Sequence, residues 1–195
     1  MIIKKLSLIT FYTLLVNLSV FSQDGFTVKD FKMSVAGTST LHDWESAVTK
    51  LDATGSLDFS GTQLNGIYSL KVNIPAKGIV STKGKIMDNK TYEALKADKY
   101  PKITFLLDKA AVNGSRIQAT GRLSIAGKTQ TVSLSATGKV DNTGNITFQG
   151  SQAIKMADYG MEPPTALMGT IKTGEEVTIR YELTLTPSGE ASGTH

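Results

Sequence analysis

The sequence contains no cysteine, so disulfide bonds, thiol catalysis and thiolate metal ligands are all excluded. Histidine is nearly absent as well, because the chain carries only His42 besides the terminal His195. One histidine cannot build a histidine metal cluster, and no serine lies in the pattern of a nucleophile elbow. These absences argue against an enzyme and against a bound metal, and no feature of the sequence requires a cofactor.

The first 22 residues have the pattern of a secretory signal peptide. Lys4 and Lys5 form the positive start, residues 6–18 are mostly apolar, and Ser22 precedes a cleavage site at Gln23. The alternative is an uncleaved anchor, which the pattern disfavours because the apolar run is shorter than the ~20 residues of a spanning helix. We therefore expect the protein to reach the periplasm or to be secreted.

Removal of residues 1–22 leaves 173 residues, a length that suits one domain with a sizeable core. We place this domain at residues 23–187 and a disordered, Ser/Gly-rich tail at residues 188–195. The remaining chain has 19 basic and 17 acidic side chains, and its lysines are scattered. So mild a balance gives no reason to expect nucleic acid as a partner.

Most of the chain alternates between apolar and polar residues, which predicts strands with one buried face. The cleanest alternation runs from Val177 to Leu185, and a change of phase near Asp30 predicts a β-bulge or two short strands. About eight such strands with short polar turns favour an all-β, antiparallel barrel. Small residues on the inward face suggest room inside it: Ala53, Gly55, Ala119, Gly121 and Ala136.

One segment, residues 84–105, interrupts the alternation and predicts a short helix near residues 87–98. Asp88 or Asn89 can cap its first turn, because a side-chain oxygen can accept the free backbone N–H groups there. Tyr92 and Leu95 lie three residues apart on one face. A helix this short must pack on something, and the mouth of the barrel is the expected place.

Three motifs in and after this segment resemble the YceI-like family: residues 87–89 (MDN), 99–105 (KYPKITF) and 121–127 (GRLSIAG). Residues 37–44 (GTSTLHDW) and 154–165 (IKMADYGMEPPT) resemble the branch of that family common in the Bacteroidetes. The resemblance implies an exported, lipocalin-like barrel that binds polyisoprenoid lipids. Many members carry histidine where this chain has Ala126 and near Asn89, so the resemblance assigns no polar contact to either position.

The resemblance and the alternation together predict which side chains bind the lipid. They are the inward-facing apolar residues and the aromatic and methionine residues near the mouth: Trp44, Tyr68, Leu70, Val72, Met87, Tyr92, Leu95, Ile103, Phe105, Leu123, Ile125, Val132, Leu134, Phe148, Met156, Tyr159 and Met161. His42 and Asp43 are candidate head-group contacts. The opposing interpretation makes residues 42–44 a strand-entry turn with Trp44 in the core.

Three functions stay open at this stage. The leading one is a non-enzymatic carrier that holds a polyprenyl or quinone chain inside the barrel. The second is an interaction protein with a self-filled core, which acts on an envelope or membrane-associated partner through the Met/Pro loop, residues 156–168. The third, a hydrolase or isomerase, would depend on His42. The sequence leaves the identity of the lipid and a homodimeric state open.

Overall fold

A computed structural model describes residues 25–166 and 168–188, so the predicted signal peptide and nearly all of the predicted tail lie outside the described residues. The elements are β1 (Gly25–Ser39), β2 (Trp44–Val48), β3 (Asp52–Ser60), β4 (Gln63–Pro75), β5 (Ile79–Ser81), α1 (Lys85–Ala94), β6 (Lys102–Asn113), β7 (Arg116–Ile125), β8 (Lys128–Val140), β9 (Ile146–Lys155), β10 (Thr165–Ala166) and β11 (Ile171–Pro187). Two short 3₁₀ turns span Ala76–Gly78 and Met156–Tyr159.

Eight of these strands close into an antiparallel barrel in the order β1-β3-β4-β6-β7-β8-β9-β11, and β11 pairs back onto β1. This confirms the predicted all-β, lipocalin-like barrel. Closure gives every strand of the ring two neighbours, so the ring itself has no free edge. The second half of β1 turns away from β3 to pair with β2, which in turn pairs with β5. Together with α1 and β10, these extra strands mark one end of the barrel, which we call the mouth.

The predicted bulge near Asp30 is confirmed. Val28 pairs with Leu185 and Asp30 with Thr184, so Lys29 is an extra residue in β1. A bulge of this kind reverses which side chains face inward, because the side chains of a strand alternate with a period of two. The apolar residues of β1 before the bulge and those after it therefore both face the interior, although they fall on opposite phases of the alternation.

A second bulge, in β4, overturns one prediction. Ser69 pairs with Ser56 but Ile67 pairs with Leu57, which leaves Tyr68 as the extra residue. Its side chain is 62% exposed, so it lies outside the barrel and not within it. Ile67 packs on the core in its place. The uninterrupted alternation assumed for this strand was wrong because a one-residue insertion changes the face of everything before it.

Two packed clusters fill the barrel. The closed-end core lies away from the mouth and consists of Phe26, Ala53, Leu57, Leu64, Val72, Ile117, Val140, Ile146, Phe148, Leu183 and Leu185. The mouth core comprises Met33, Val48, Ala76, Ile79, Leu95, Ala97, Ile103, Leu123, Ile125, Ala126, Val132, Ile154, Met156, Tyr159, Met161 and Val177. The expected room beside small residues is taken up by neighbours: a Cβ on Gly121 would lie 2.5 Å from the Phe105 ring. At Gly121 the missing side chain therefore makes room for the Phe105 ring.

The helix α1 begins two residues earlier than predicted and ends at Ala94, after which a turn continues to Lys99. The predicted cap was wrong: Gly84 occupies the cap position, with φ 88°, a conformation that glycine adopts without strain. The carboxylate of Asp88 instead accepts a hydrogen bond of 2.7 Å from the backbone N–H of Ser81. This bond ties α1 to β5 and holds the helix over the mouth. No helix in the described part of the chain is long and apolar enough to cross a membrane.

Candidate functional site

A cavity of about 310 Å³ lies at the mouth, between the ends of the barrel strands and α1. Met156, Met161 and Val177 contribute from the mouth core, and each is less than a tenth exposed. The cavity reaches the surface beside Leu41, which is 67% exposed. Its walls are predominantly apolar, a composition typical of pockets for hydrophobic ligands.

The helix contributes one regular face to the cavity. Met87, Lys90, Thr91 and Ala94 all line it, and their spacing of three and four residues places them on one side of α1. Tyr92 lies on another side, where its hydroxyl donates to the backbone carbonyl of Lys77 at 3.1 Å. Tyr92 therefore anchors the helix to the barrel. The face of α1 that contains Met87, Lys90, Thr91 and Ala94 is the one that lines the cavity.

The Met/Pro loop supplies the opposite part of the wall. After β9 the chain forms the 3₁₀ turn Met156–Tyr159, and the backbone N–H of Met161 donates to the carbonyl of Met156 at 3.0 Å. This bond brings both buried methionines to the cavity, while Met168 is fully exposed. Met156 and Met161 therefore both pack in the mouth core and line the cavity. Methionine is suited to both because its unbranched side chain adapts to irregular spaces.

Trp44 begins β2 opposite Gly37 and is also both a core and a cavity residue. Its ring lies so close to Gly37 that a Cβ there would be 2.6 Å from the ring, and its indole N–H donates to the carbonyl of Thr38 at 3.0 Å. The half-buried ring packs on the mouth core. Glycine at position 37 thus fixes the orientation of the only tryptophan in the chain.

The turn between β1 and β2 places His42 at the rim of the cavity. The Ser39 hydroxyl organises this turn: it accepts a hydrogen bond from the backbone N–H of His42 at 3.2 Å, and its O–H donates to the His42 carbonyl at 2.7 Å. Nδ1 of His42 lies 2.8 Å from the carbonyl oxygen of Asp43. Because a carbonyl oxygen only accepts, Nδ1 carries the hydrogen and Nε2 is left for another partner. The Asp43 side chain borders a neighbouring groove and not this cavity.

The structure divides the predicted lipid-binding residues into separate groups. Five of them line the cavity: Trp44, Met87, Leu95, Met156 and Met161. Others form or pack on the mouth core behind it: Tyr92, Ile103, Phe105, Leu123, Ile125, Val132, Leu134 and Tyr159. Leu70, Val72 and Phe148 belong to the closed-end core. Only the first group lines the mouth cavity, and the binding role of all these side chains stays a prediction.

Several residues of the wall had not been predicted, among them Leu41, Ile79, Lys83, Lys90 and Thr165. The spacing of Met87, Lys90, Thr91 and Ala94 could have identified the helix face. No local pattern could have placed Thr165, because Lys90 meets it across 75 residues of chain.

One buried polar atom near the cavity has no hydrogen-bond partner in the described structure. Tyr159 is 2% exposed, and its hydroxyl lies within the mouth core without a donor or acceptor. Burial raises the pKa of this phenol above its ordinary value, with a smaller contribution from the nearby Asp158 carboxylate. The hydroxyl group is therefore neutral at physiological pH and destabilises the core.

Among residues 25–166 and 168–188, no group of three or more His, Asp or Glu side chains is placed to hold a metal ion.

The family model of the YceI-like domain matches residues 16–185. Among curated proteins, none matches the sequence. Similar solved structures include BcnA of Burkholderia cenocepacia, with a TM-score of 0.66 and 22% identity over 80% of this chain and 96% of that chain. They also include a polyisoprenoid-binding domain from Saccharophagus degradans implicated in plant cell wall breakdown, with a TM-score of 0.61 and 13% identity over 83% and 98%.

A third similar structure, the YceI protein of Campylobacter jejuni, has a TM-score of 0.54 and 19% identity over 96% of this chain and 100% of that chain. At these identities the structural likeness shows a shared fold. The branch common in the Bacteroidetes stays a prediction from residues 37–44 and 154–165.

Proposed function

The chain belongs to the YceI-like family, and from this premise we propose that it is a non-enzymatic carrier of an apolar isoprenoid-type lipid. The observation that carries the proposal is the largely apolar cavity of about 310 Å³ at the mouth. A structurally similar domain is described as polyisoprenoid-binding, which supports the same class of ligand. The carrier acts in the periplasm or after secretion, a location that rests on the N-terminal signal pattern.

The volume sets how much lipid the mouth holds. At ~30 Å³ for each water-sized group, the cavity has room for about ten carbon atoms, or two isoprene units. Burial of about ten such groups contributes on the order of 8 kcal/mol, the equivalent of a Kd near 1 μM. This is an upper value, because association itself opposes binding. A longer chain needs the mouth core to yield, and Met156 and Met161 are the side chains best able to move.

The filled closed end of the barrel favours one alternative, an interaction protein without a lipid. In that case the Met/Pro loop would bind an envelope or membrane-associated partner, and the cavity would be a packing defect. The hydrolase or isomerase has less support, because His42 donates to a backbone carbonyl and no carboxylate of the described residues lines the cavity.

Mass spectrometry distinguishes the carrier from the interaction protein. The full chain is expressed in a bacterium that exports it, purified without detergent, and analysed under native conditions and after organic extraction. A carrier brings an organic-soluble lipid in a fixed ratio, and the lipid is lost in a cavity-filling variant. An absence of lipid, together with failure to take up an added isoprenoid, would contradict the carrier function.

A further inference from the structure

We propose that the ligand carries an anionic head group, which Lys83 and Lys90 hold at the rim of the cavity. This inference rests on the proposed carrier function and specifies its ligand. The ionisable side chains in the cavity wall are Lys83, Lys90 and His42, and no Asp or Glu among the described residues lines it. An apolar pocket whose ionisable groups are bases suits an amphiphile with a negative end.

Lys90 is held in place by the fold. It lies on the face of α1 that lines the cavity, and its Nζ donates to the backbone carbonyl of Thr165 in β10 at 2.6 Å. An ammonium group has three donors, so two remain for a ligand. The bond to Thr165 fixes the charge at the rim without neutralising it, because a carbonyl oxygen carries no net charge.

Lys83 is positioned by the turn that leads into α1. Its backbone N–H donates to the hydroxyl of Ser81 at 3.1 Å, and its side chain lines the cavity. Its long apolar stem can cover the edge of the cavity while the ammonium stays in water. Lys83 and Lys90 therefore border the same opening from a turn and from a helix.

Neither ammonium group is in an ion pair with a described carboxylate. The two ion pairs of the described structure, Lys77 with Asp98 and Arg122 with Asp108, lie elsewhere. Carboxylates do border the grooves outside the rim: Asp43, Glu45, Glu175 and Glu176 near Lys83, and Glu93 and Glu162 near Lys90. None of these side chains lines the cavity, so an anion at the rim meets the two ammonium groups first.

The shared chemistry is a single apolar chain that ends in negatively charged oxygen atoms. A phosphate or a carboxylate can each accept charge-assisted hydrogen bonds from both lysines, which are stronger than bonds to a neutral alcohol. An uncharged head group would leave the lysines without a role in binding.

The test compares three ligands with the same chain: farnesol, farnesyl phosphate and farnesoic acid, each titrated below its micelle concentration while Trp44 fluorescence is recorded. We expect the phosphate to bind at least about tenfold more tightly than the alcohol, by an amount that falls with added salt. Tight binding by the carboxylic acid as well would support a requirement for charge alone. Tight binding by the phosphate alone would support the proposal and assign the head group to phosphates.

The Lys83→Gln/Lys90→Gln variant should lose that advantage, so that it binds farnesyl phosphate no more tightly than farnesol. Lys71→Gln/Lys109→Gln, which removes two exposed charges away from the cavity, is the matched control and should bind all three ligands normally. Equal affinity of the wild-type chain for farnesol and farnesyl phosphate would overturn the head-group proposal and leave the carrier function standing. No binding of any of the three ligands would overturn both.

Discussion

The unpartnered hydroxyl of Tyr159 makes a quantitative prediction about stability. A buried polar group without a hydrogen bond costs ~1–3 kcal/mol, and Tyr159→Phe removes the group while it keeps the ring. The variant should therefore be more stable by about 1 kcal/mol or more. For a domain of this size each kcal/mol raises Tm by ~2–4 °C, which differential scanning calorimetry resolves easily.

The same hydroxyl also predicts how the stability of the protein changes at alkaline pH. Burial raises the pKa of Tyr159, so above pH ~10 the unfolded chain loses this proton before the folded chain does. The ionisation of this group therefore leaves stability unchanged below the ordinary tyrosine pKa and lowers it as pH rises from that value toward the raised pKa of the folded chain. Burial also raises the pKa of Tyr181, so the wild type and the variant both lose stability, but the variant should lose less.

Tyr68→Phe is the matched control, because its side chain is 62% exposed on the outside of the barrel. It should leave Tm within ~2 °C of the wild type, since surface substitutions rarely change stability by more than ~0.5 kcal/mol. A loss of 1 kcal/mol or more in Tyr159→Phe would refute the reasoning. It would mean that the hydroxyl of Tyr159 has a partner in solution.

Two further substitutions test the packing and the turns. Gly121→Ala should destabilise the protein by ~1–3 kcal/mol, because the added methyl group would meet the Phe105 ring, and an unchanged Tm would contradict this close approach. Asp141 accepts hydrogen bonds from Asn145 and Thr143, which hold its pKa well below the ordinary value. The stabilisation by Asp141 is therefore present above pH ~4 and lost as pH falls further. Asp141→Asn should therefore lose less stability than the wild type between neutral and acid pH. An equal loss in the two proteins would contradict this role of Asp141.

The sequence was sufficient for the barrel because the alternation extends over long strands. From Val177 to Leu185 each apolar residue faces inward or packs on a core cluster, and strands of this kind leave few ways to bury their apolar face. The bulge near Asp30 was also recoverable, since it changes the phase of a clear pattern. The bulge at Tyr68 was not, because an aromatic residue at an extra position looks like another inward residue.

The location of the cavity could not be predicted for a different reason. Its walls join β1, β2, α1, the Met/Pro loop and β11, and no local pattern reports which distant segments meet. The small inward-facing residues suggested room inside the barrel, but at Gly121 that space is occupied by the ring of Phe105. A sequence does not show which neighbour fills the space beside a small residue. The shortness of the helix indicated that it packs at the mouth, but its contacts with β5 and β10 come from the structure alone.

The most direct test of the central claim asks whether an isoprenoid occupies the mouth cavity. Ala94→Phe places a ring into the cavity from α1, whereas Glu93→Phe adds the same ring at the next position, which does not line it. A fluorescent polyprenyl analogue is titrated into the delipidated proteins, with energy transfer from Trp44 as the signal. We predict saturable transfer in the wild type and in Glu93→Phe, and at least about tenfold weaker binding in Ala94→Phe. No saturable transfer in the wild type, or equal binding by Ala94→Phe, would contradict the account.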